Sequence, residues 1–384
     1  MKRNHILYAI PALLLWAGLM SVASAADTAA GTDISNTATV NYKVGGVSQT
    51  AVTVMTTFET DRRVNLTVAE VGTAAGATYG ANTASGYLTV GPGQTQQPIL
   101  FQVTNTSNDT INVGLSFANA TGTAGPHTGT DSIDTTNNLI RLDNGDSLFV
   151  LADDTAVTVL GNIPAGESRY VWVLGDIPSL AVDGALAVGT LTATAQDSGN
   201  VAFTESGSDT PGGIDTVLAD GTGATDGARD GKFSASDAWL VSSATFVVTK
   251  SSTVITDPIN CTTEGTPGSC TGTAKRIPGS IVEYCVDVNN SGTAAADTIV
   301  LGDPIPANTS YVAGSIRTAA TGTGSACDSG TGLGEDDNNT DDSGDETNPN
   351  GADFNVTTTG AVTVRAPSIA AGVRFKALFR VKID

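Results

Sequence analysis

The sequence predicts an all-β protein built of tandem β-sandwich domains, on three observations. Thr- and Val-rich runs alternate with polar residues, as in Thr37-Ala38-Thr39-Val40-Asn41-Tyr42 and Val64-Asn65-Leu66-Thr67-Val68. Such alternation suits strands with one buried face. Gly, Asn and Asp punctuate these runs, and no long stretch carries a helical period. A pattern also recurs: Ile99 to Ser107 and Ile281 to Ser291 are each a strand running into an Asn-rich turn. Each copy is followed by a short Gly-ended segment and a closing strand, Ile163-Pro164-Ala165-Gly166 then a strand to Ile177, and Ile369-Ala370-Ala371-Gly372 then a strand to Ile383. Asn105 aligns with Asn289 on this reading.

Taken in order, residues 1–25 read as a secretory signal. Lys2 and Arg3 precede the apolar run Ile6 to Leu19, and Ala23-Ser24-Ala25 closes it. Residues 26–58 read as a β-hairpin or separate arm, with Gly45-Gly46 as its turn. Residues 59–248 form the first sandwich, with a long Asp/Gly-rich loop over Glu205 to Asp237 and a strand from Trp239 to Val248. Residues 249–384 form the second, with an acidic insertion. Its last strand has the clearest pattern. Val373, Phe375, Ala377, Phe379, Val381 and Ile383 alternate with Arg374, Lys376, Leu378, Arg380 and Lys382, an apolar face inward and a mostly basic face outward.

Composition bounds the function. The 384 residues include 18 Lys and Arg against 39 Asp and Glu, a formal net charge of −21. A nucleic-acid binder needs the opposite sign to displace counterions, so that class is excluded, as is an anionic membrane surface. No later stretch is apolar enough to span a bilayer. The 40% of apolar residues is enough for real cores.

The second half resembles a conserved repeat of unknown function in bacterial and archaeal surface proteins. The matching residues are Val282-Glu283-Tyr284-Cys285-Val286-Asp287-Val288-Asn289-Asn290-Ser291-Gly292, Asp303-Pro304-Ile305-Pro306-Ala307-Asn308-Thr309-Ser310-Tyr311-Val312-Ala313-Gly314-Ser315, and the strand after Ala371-Gly372. The resemblance covers roughly residues 249–384; the acidic insertion and the cysteines depart from it. It implies an immunoglobulin-like sandwich with Greek-key-type connections, displayed outside the cytoplasm. It carries over no catalytic residues, and its members are taken to be structural or adhesive.

Four cysteines, Cys261, Cys270, Cys285 and Cys327, lie in the second domain. An even count in an exported chain points to disulfides. Three pairings exist; Cys261–Cys270 and Cys285–Cys327 are preferred. Zinc is disfavoured because no His is near. Glu335, Asp336, Asp337, Asp341, Asp342, Asp345 and Glu346 put seven carboxylates into twelve residues. Their oxygens suit Ca²⁺, although the EF-hand spacing is absent; a solvated acidic loop is the other reading. Calcium is thus the one cofactor to consider. The sparser Asp220–Asp230 cluster reads the same way.

Catalysis finds little support. His127 is the single histidine outside the leader and reads as an exposed turn residue in Gly125-Pro126-His127-Thr128-Gly129. Trp172 and Trp239 lie in apolar strands and read as core. No Gly-rich phosphate loop opens a helix. The expectation is a non-catalytic structural or adhesive protein, secreted or at the cell surface. Its partners would be other envelope or extracellular proteins, or copies of itself. A filament or surface-layer subunit joined by β-strand addition competes within that class; a secreted carbohydrate-active enzyme is the alternative outside it.

Overall fold

A computed structural model describes residues 27–74, 78–79, 86–146, 148–220, 228–262, 274–321, 327, 333–335, 337 and 350–384. The leader read over 1–25 lies outside them. Every regular element among the described residues is a β-strand. No helix among them is long and apolar enough to cross a membrane.

The chain begins with an antiparallel hairpin, β1 (Asp33–Val40) and β2 (Val52–Glu59). The first sandwich follows. Its strands are β3 (Leu66–Val71), β4 (Leu88–Val90), β5 (Gln97–Asn105), β6 (Ile111–Asn119) and β7 (Thr136–Leu142). They continue with β8 (Val159–Ile163), β9 (Ser168–Asp176), β10 (Leu186–Gln196) and β11 (Lys232–Val241). One sheet runs β7-β9-β5-β3 and the other β8-β6-β10-β11-β4. Consecutive strands cross between the sheets, so the arrangement is immunoglobulin-like. Alternate residues of both sheets interdigitate: Leu66, Ile99, Phe101 and Val103 from one face Val113, Leu191, Ala193 and Trp239 from the other.

The second sandwich contains β12 (Phe246–Thr256), β13 (Ile281–Asn290), β14 (Ala296–Pro304), β15 (Arg317–Thr321), β16 (Gly351–Phe354), β17 (Ala361–Ile369) and β18 (Arg374–Ile383). Its sheets run β12-β13-β18-β15 and β14-β17-β16. The stretch Trp239 to Val248, read above as one strand, is two. β11 ends at Val241 and β12 starts at Phe246, with Ser243 N–H donating to Asp183 Oδ1 at 2.7 Å in between. Residue 249 therefore falls inside β12. The Asp/Gly-rich loop also gives up its end, Lys232–Asp237, to β11.

Hydrogen bonds show how the two copies correspond. Asn105 donates from Nδ2 to Asp109 O and Ile163 O, both at 2.8 Å, and its carbonyl accepts Gly166 N–H at 2.8 Å. Asn290 donates to Ala294 O at 2.8 Å and Ile369 O at 3.0 Å, and its carbonyl accepts Gly372 N–H at 2.9 Å. The counterpart of Asn105 is thus Asn290, one residue later than the sequence pattern suggests. β5 corresponds to β13, β6 to β14, β8 to β17 and β9 to β18.

The alternation in β18 holds: Phe375, Ala377, Phe379 and Val381 are buried in the second core. Its outward basic face is not left to water. Arg374 pairs with Asp287 at 2.7 Å and Arg380 with Glu283 at 3.0 Å, both acids being on the neighbouring β13.

Candidate functional site

The hairpin is the most unusual surface of the molecule. Gly45 and Gly46 take φ of 57° and 83°, a conformation that suits the tight turns joining twisted strands. Beyond that tip, eight residue pairs run from Val40↔Val52 to Asp33↔Glu59. Side chains alternate, so pairs sort by face. Ile34/Phe58, Asn36/Thr56, Ala38/Val54 and Val40/Val52 share one face; Asp33/Glu59, Ser35/Thr57, Thr37/Met55 and Thr39/Thr53 share the other. The first face is apolar in all but its Asn36/Thr56 pair, yet Val54 is 68% and Val40 59% exposed. An isolated two-stranded ribbon is marginal in water, and an uncovered apolar face marks a contact surface.

The base of the hairpin is fixed. Asn108, in the turn after β5, donates from Nδ2 to Thr28 O at 3.0 Å and Asp61 O at 2.9 Å. Gly31 N–H reaches Thr60 O at 2.8 Å. Arg62 pairs with Asp109 at 2.7 Å. Asp61, Asp209 and Asp215 bring carboxylate oxygens within 4.8 Å of one another beside this base. Backbone N–H groups already occupy two of them: Asp215 N–H donates to Asp61 Oδ1 at 2.9 Å and Thr210 N–H to Asp215 Oδ2 at 2.6 Å.

The residues singled out in the sequence fall as follows. Cys285 on β13 is bonded to Cys327, with Cα atoms 5.9 Å apart. Cys261 is buried and disulfide-bonded; Cys270 lies outside the described residues. Of the acidic set, Glu335 accepts a hydrogen bond from Thr318. Asp337 accepts from Tyr311 Oη at 2.5 Å and Gly314 N–H at 2.7 Å. These two carboxylates therefore serve β15 and its flanks. Asp336, Asp341, Asp342, Asp345 and Glu346 lie outside the described residues. In the other cluster Asp220 Oδ2 accepts Gly231 N–H at 2.7 Å and the N–H groups of Asp230 and Lys232, both at 3.1 Å.

His127 is not an exposed loop residue. Its Nε2 lies 2.6 Å from Glu70 Oε1, and its ring meets Tyr87 edge-on at 5.0 Å between centroids. Tyr87 Oη accepts the N–H groups of His127 and Thr128 at 2.9 and 3.0 Å, which folds the turn inward. Glu70 and Asp237 are the functional-type residues that sequence reasoning passed over. Asp237 is fully buried on β11; burial, then the nearby Glu70 charge, push its carboxyl well above the ordinary range. The sequence reading left Asp237 at the end of the Asp/Gly-rich loop, and nothing local tied it to Glu70. Trp172 and Trp239 are both buried. Trp172, however, packs with Leu100 and Leu174 on the outer face of its sheet, apart from the main core.

No family model matches the chain, and no curated protein matches it. Among solved structures it is similar to the C-terminal domain of the AgI/II polypeptide BspA of Streptococcus agalactiae. The TM-score is 0.30 at 10% identity, covering 83% of this chain and 91% of that one. The collagen adhesin CNA of S. aureus gives a TM-score of 0.20 at 12% identity, covering 84% of each chain. A family 123 glycoside hydrolase of Clostridium perfringens gives 0.22 at 12% identity, covering 47% of this chain and 27% of that one. Likeness this distant bears on neither binding nor chemistry.

Proposed function

We propose that this is a non-catalytic structural or adhesive protein that works outside the cytoplasm by holding other proteins, copies of itself included, through the β1–β2 hairpin. One observation carries the reading: an amphipathic ribbon, anchored at its base, presents its apolar face to water. Large uncovered apolar faces on folded domains serve as interfaces. The bonded Cys285–Cys327 pair supports an oxidising compartment, and the basic n-region and apolar run at the N-terminus support export. The half-buried His127–Glu70 pair supports a structural role, since both groups are spent on closing the Gly125–Gly129 turn.

The test expresses the full chain in a bacterial host and fractionates the cells. A mature chain beginning at Ala26, accessible to protease on intact cells or in the medium, is expected. Assemblies or cell-bound material are expected to diminish in the Val54→Asp variant. Retention of the whole chain in the cytosol, or identical behaviour of Val54→Asp and the parent, overturns the reading.

A further inference from the structure

The two sandwiches are copies, but among the described residues two strands of the first have no counterpart in the second. In the first, β6 is paired on both sides: with β8, and over Asn112–Asn119 with β10, which in turn pairs with β11. In the second, β14 pairs with β17 over Ala296–Pro304, and no described strand lies along its other edge. The β10–β11 ribbon has no counterpart among the described residues.

The gap has a measurable effect. Asn105↔Leu66 and Val103↔Val68 in the first sandwich correspond to Asn290↔Phe246 and Val288↔Val248 in the second. Leu66 and Val68 lie 0% and 5% exposed, whereas Phe246 and Val248 lie 40% and 55% exposed. Glu70, which sits in the first sandwich by His127 and Asp237, corresponds to Lys250. That side chain lies over the Tyr284 ring at 4.6 Å and reaches Asp303 on β14 at 2.7 Å. The inner faces of β12 and β14 therefore border a groove whose apolar wall is open near Phe246 and Val248.

We infer that this groove receives the β1–β2 hairpin of a second copy of the chain, laid along β14 as β10 and β11 lie along β6. The inference rests on the proposal that the hairpin is a contact surface, and names what it contacts. The fit is specific. The β10–β11 piece of the first sandwich is an antiparallel ribbon with one apolar face, and the hairpin is another. Its ladder of eight pairs equals the eight-residue ladder that β10 makes with β6. Its opposed pairs Ile34/Phe58, Ala38/Val54 and Val40/Val52 match in kind the inward pairs Ala187/Trp239, Leu191/Ala235 and Ala193/Phe233 of β10–β11. Its other face is polar but for Met55, which suits the outside of a sandwich.

Geometry selects a second copy over the same one. β5 ends at Asn105, beside the Asn108 turn that anchors the hairpin. β11 ends at Val241, at the opposite end of the same sandwich, and leads there into β12. Strands of nine to eleven residues separate the two ends by about 30 Å. Donor and acceptor thus attach at opposite ends of the first sandwich, and a contact between these two different surfaces is head-to-tail.

The test uses two full-chain variants altered at exposed positions, Val54→Asp in the donor and Val248→Asp in the acceptor. Light scattering after gel filtration is expected to show concentration-dependent assembly of the parent, weakened at least tenfold in each variant alone. Mixing the two leaves one intact pairing, the Val248→Asp hairpin on the Val54→Asp groove, and is expected to give heterodimers and nothing larger. Assembly of Val248→Asp alone at the parent's level overturns the inference while leaving the hairpin as a contact surface. A parent that stays monomeric with its β1–β2 amides protected from hydrogen exchange also overturns it, by placing the hairpin in its own groove. A parent that stays monomeric with those amides unprotected removes both the inference and the proposal beneath it.

Discussion

Asp237 illustrates what a single buried carboxyl does to the first sandwich. It is buried on β11 opposite Gly189 of β10, with Glu70 nearby. Below the ordinary value of 3.8 the carboxyl is neutral in folded and unfolded chains alike. As pH rises from there, the unfolded chain ionises freely while the folded carboxyl resists, so stability is lost until the folded value is passed. Asp237→Asn is therefore expected to raise stability at neutral pH. Thermal melts across acid to neutral pH check this; the gain should vanish in acid. Asn105 and Asn290 act in the opposite sense. Each side chain is buried and donates to two backbone carbonyls, so Asn105→Ala or Asn290→Ala is expected to cost about 2–3 kcal/mol in denaturant unfolding.

Among the elements, β18 and the hairpin show how much was legible beforehand. The alternation of β18 named its core face residue by residue, because period two is a local property. That Arg374 and Arg380 would meet Asp287 and Glu283 was not legible, since those acids arrive from a strand far back in the chain. The slip from Asn289 to Asn290 has a similar cause: two adjacent Asn residues look alike until Ile369 and Gly372 choose between them. The Gly45-Gly46 turn and its flanking strands could be read directly. The bareness of their apolar face could not, because a pattern reveals amphipathy but not what covers it. Val54 is already in water, so Val54→Asp is expected to change stability by no more than about 0.5 kcal/mol, read by calorimetry. The Cys285–Cys327 bridge spans 42 positions. Replacing both cysteines by Ser is expected to lower the stability of the second sandwich by about 4 kcal/mol in the chain-entropy account. Hydrogen exchange should show the loss confined to residues after Val241.

Across the whole molecule, one architectural unit is used twice with different completeness. The first copy closes its sandwich with β10 and β11 and buries Leu66 and Val68 beneath them. In the second, no described strand covers the equivalent positions, and Phe246 and Val248 stay exposed. The hairpin and the linker then leave the first copy from opposite ends, by way of β3 and β11. A pull applied between those two points would drag β3 along β5 one way and β11 along β10 the other. Their ladders would be loaded lengthwise, every bond sharing the strain at once, instead of unzipping rung by rung. Built this way, the first sandwich would meet such a pull in shear.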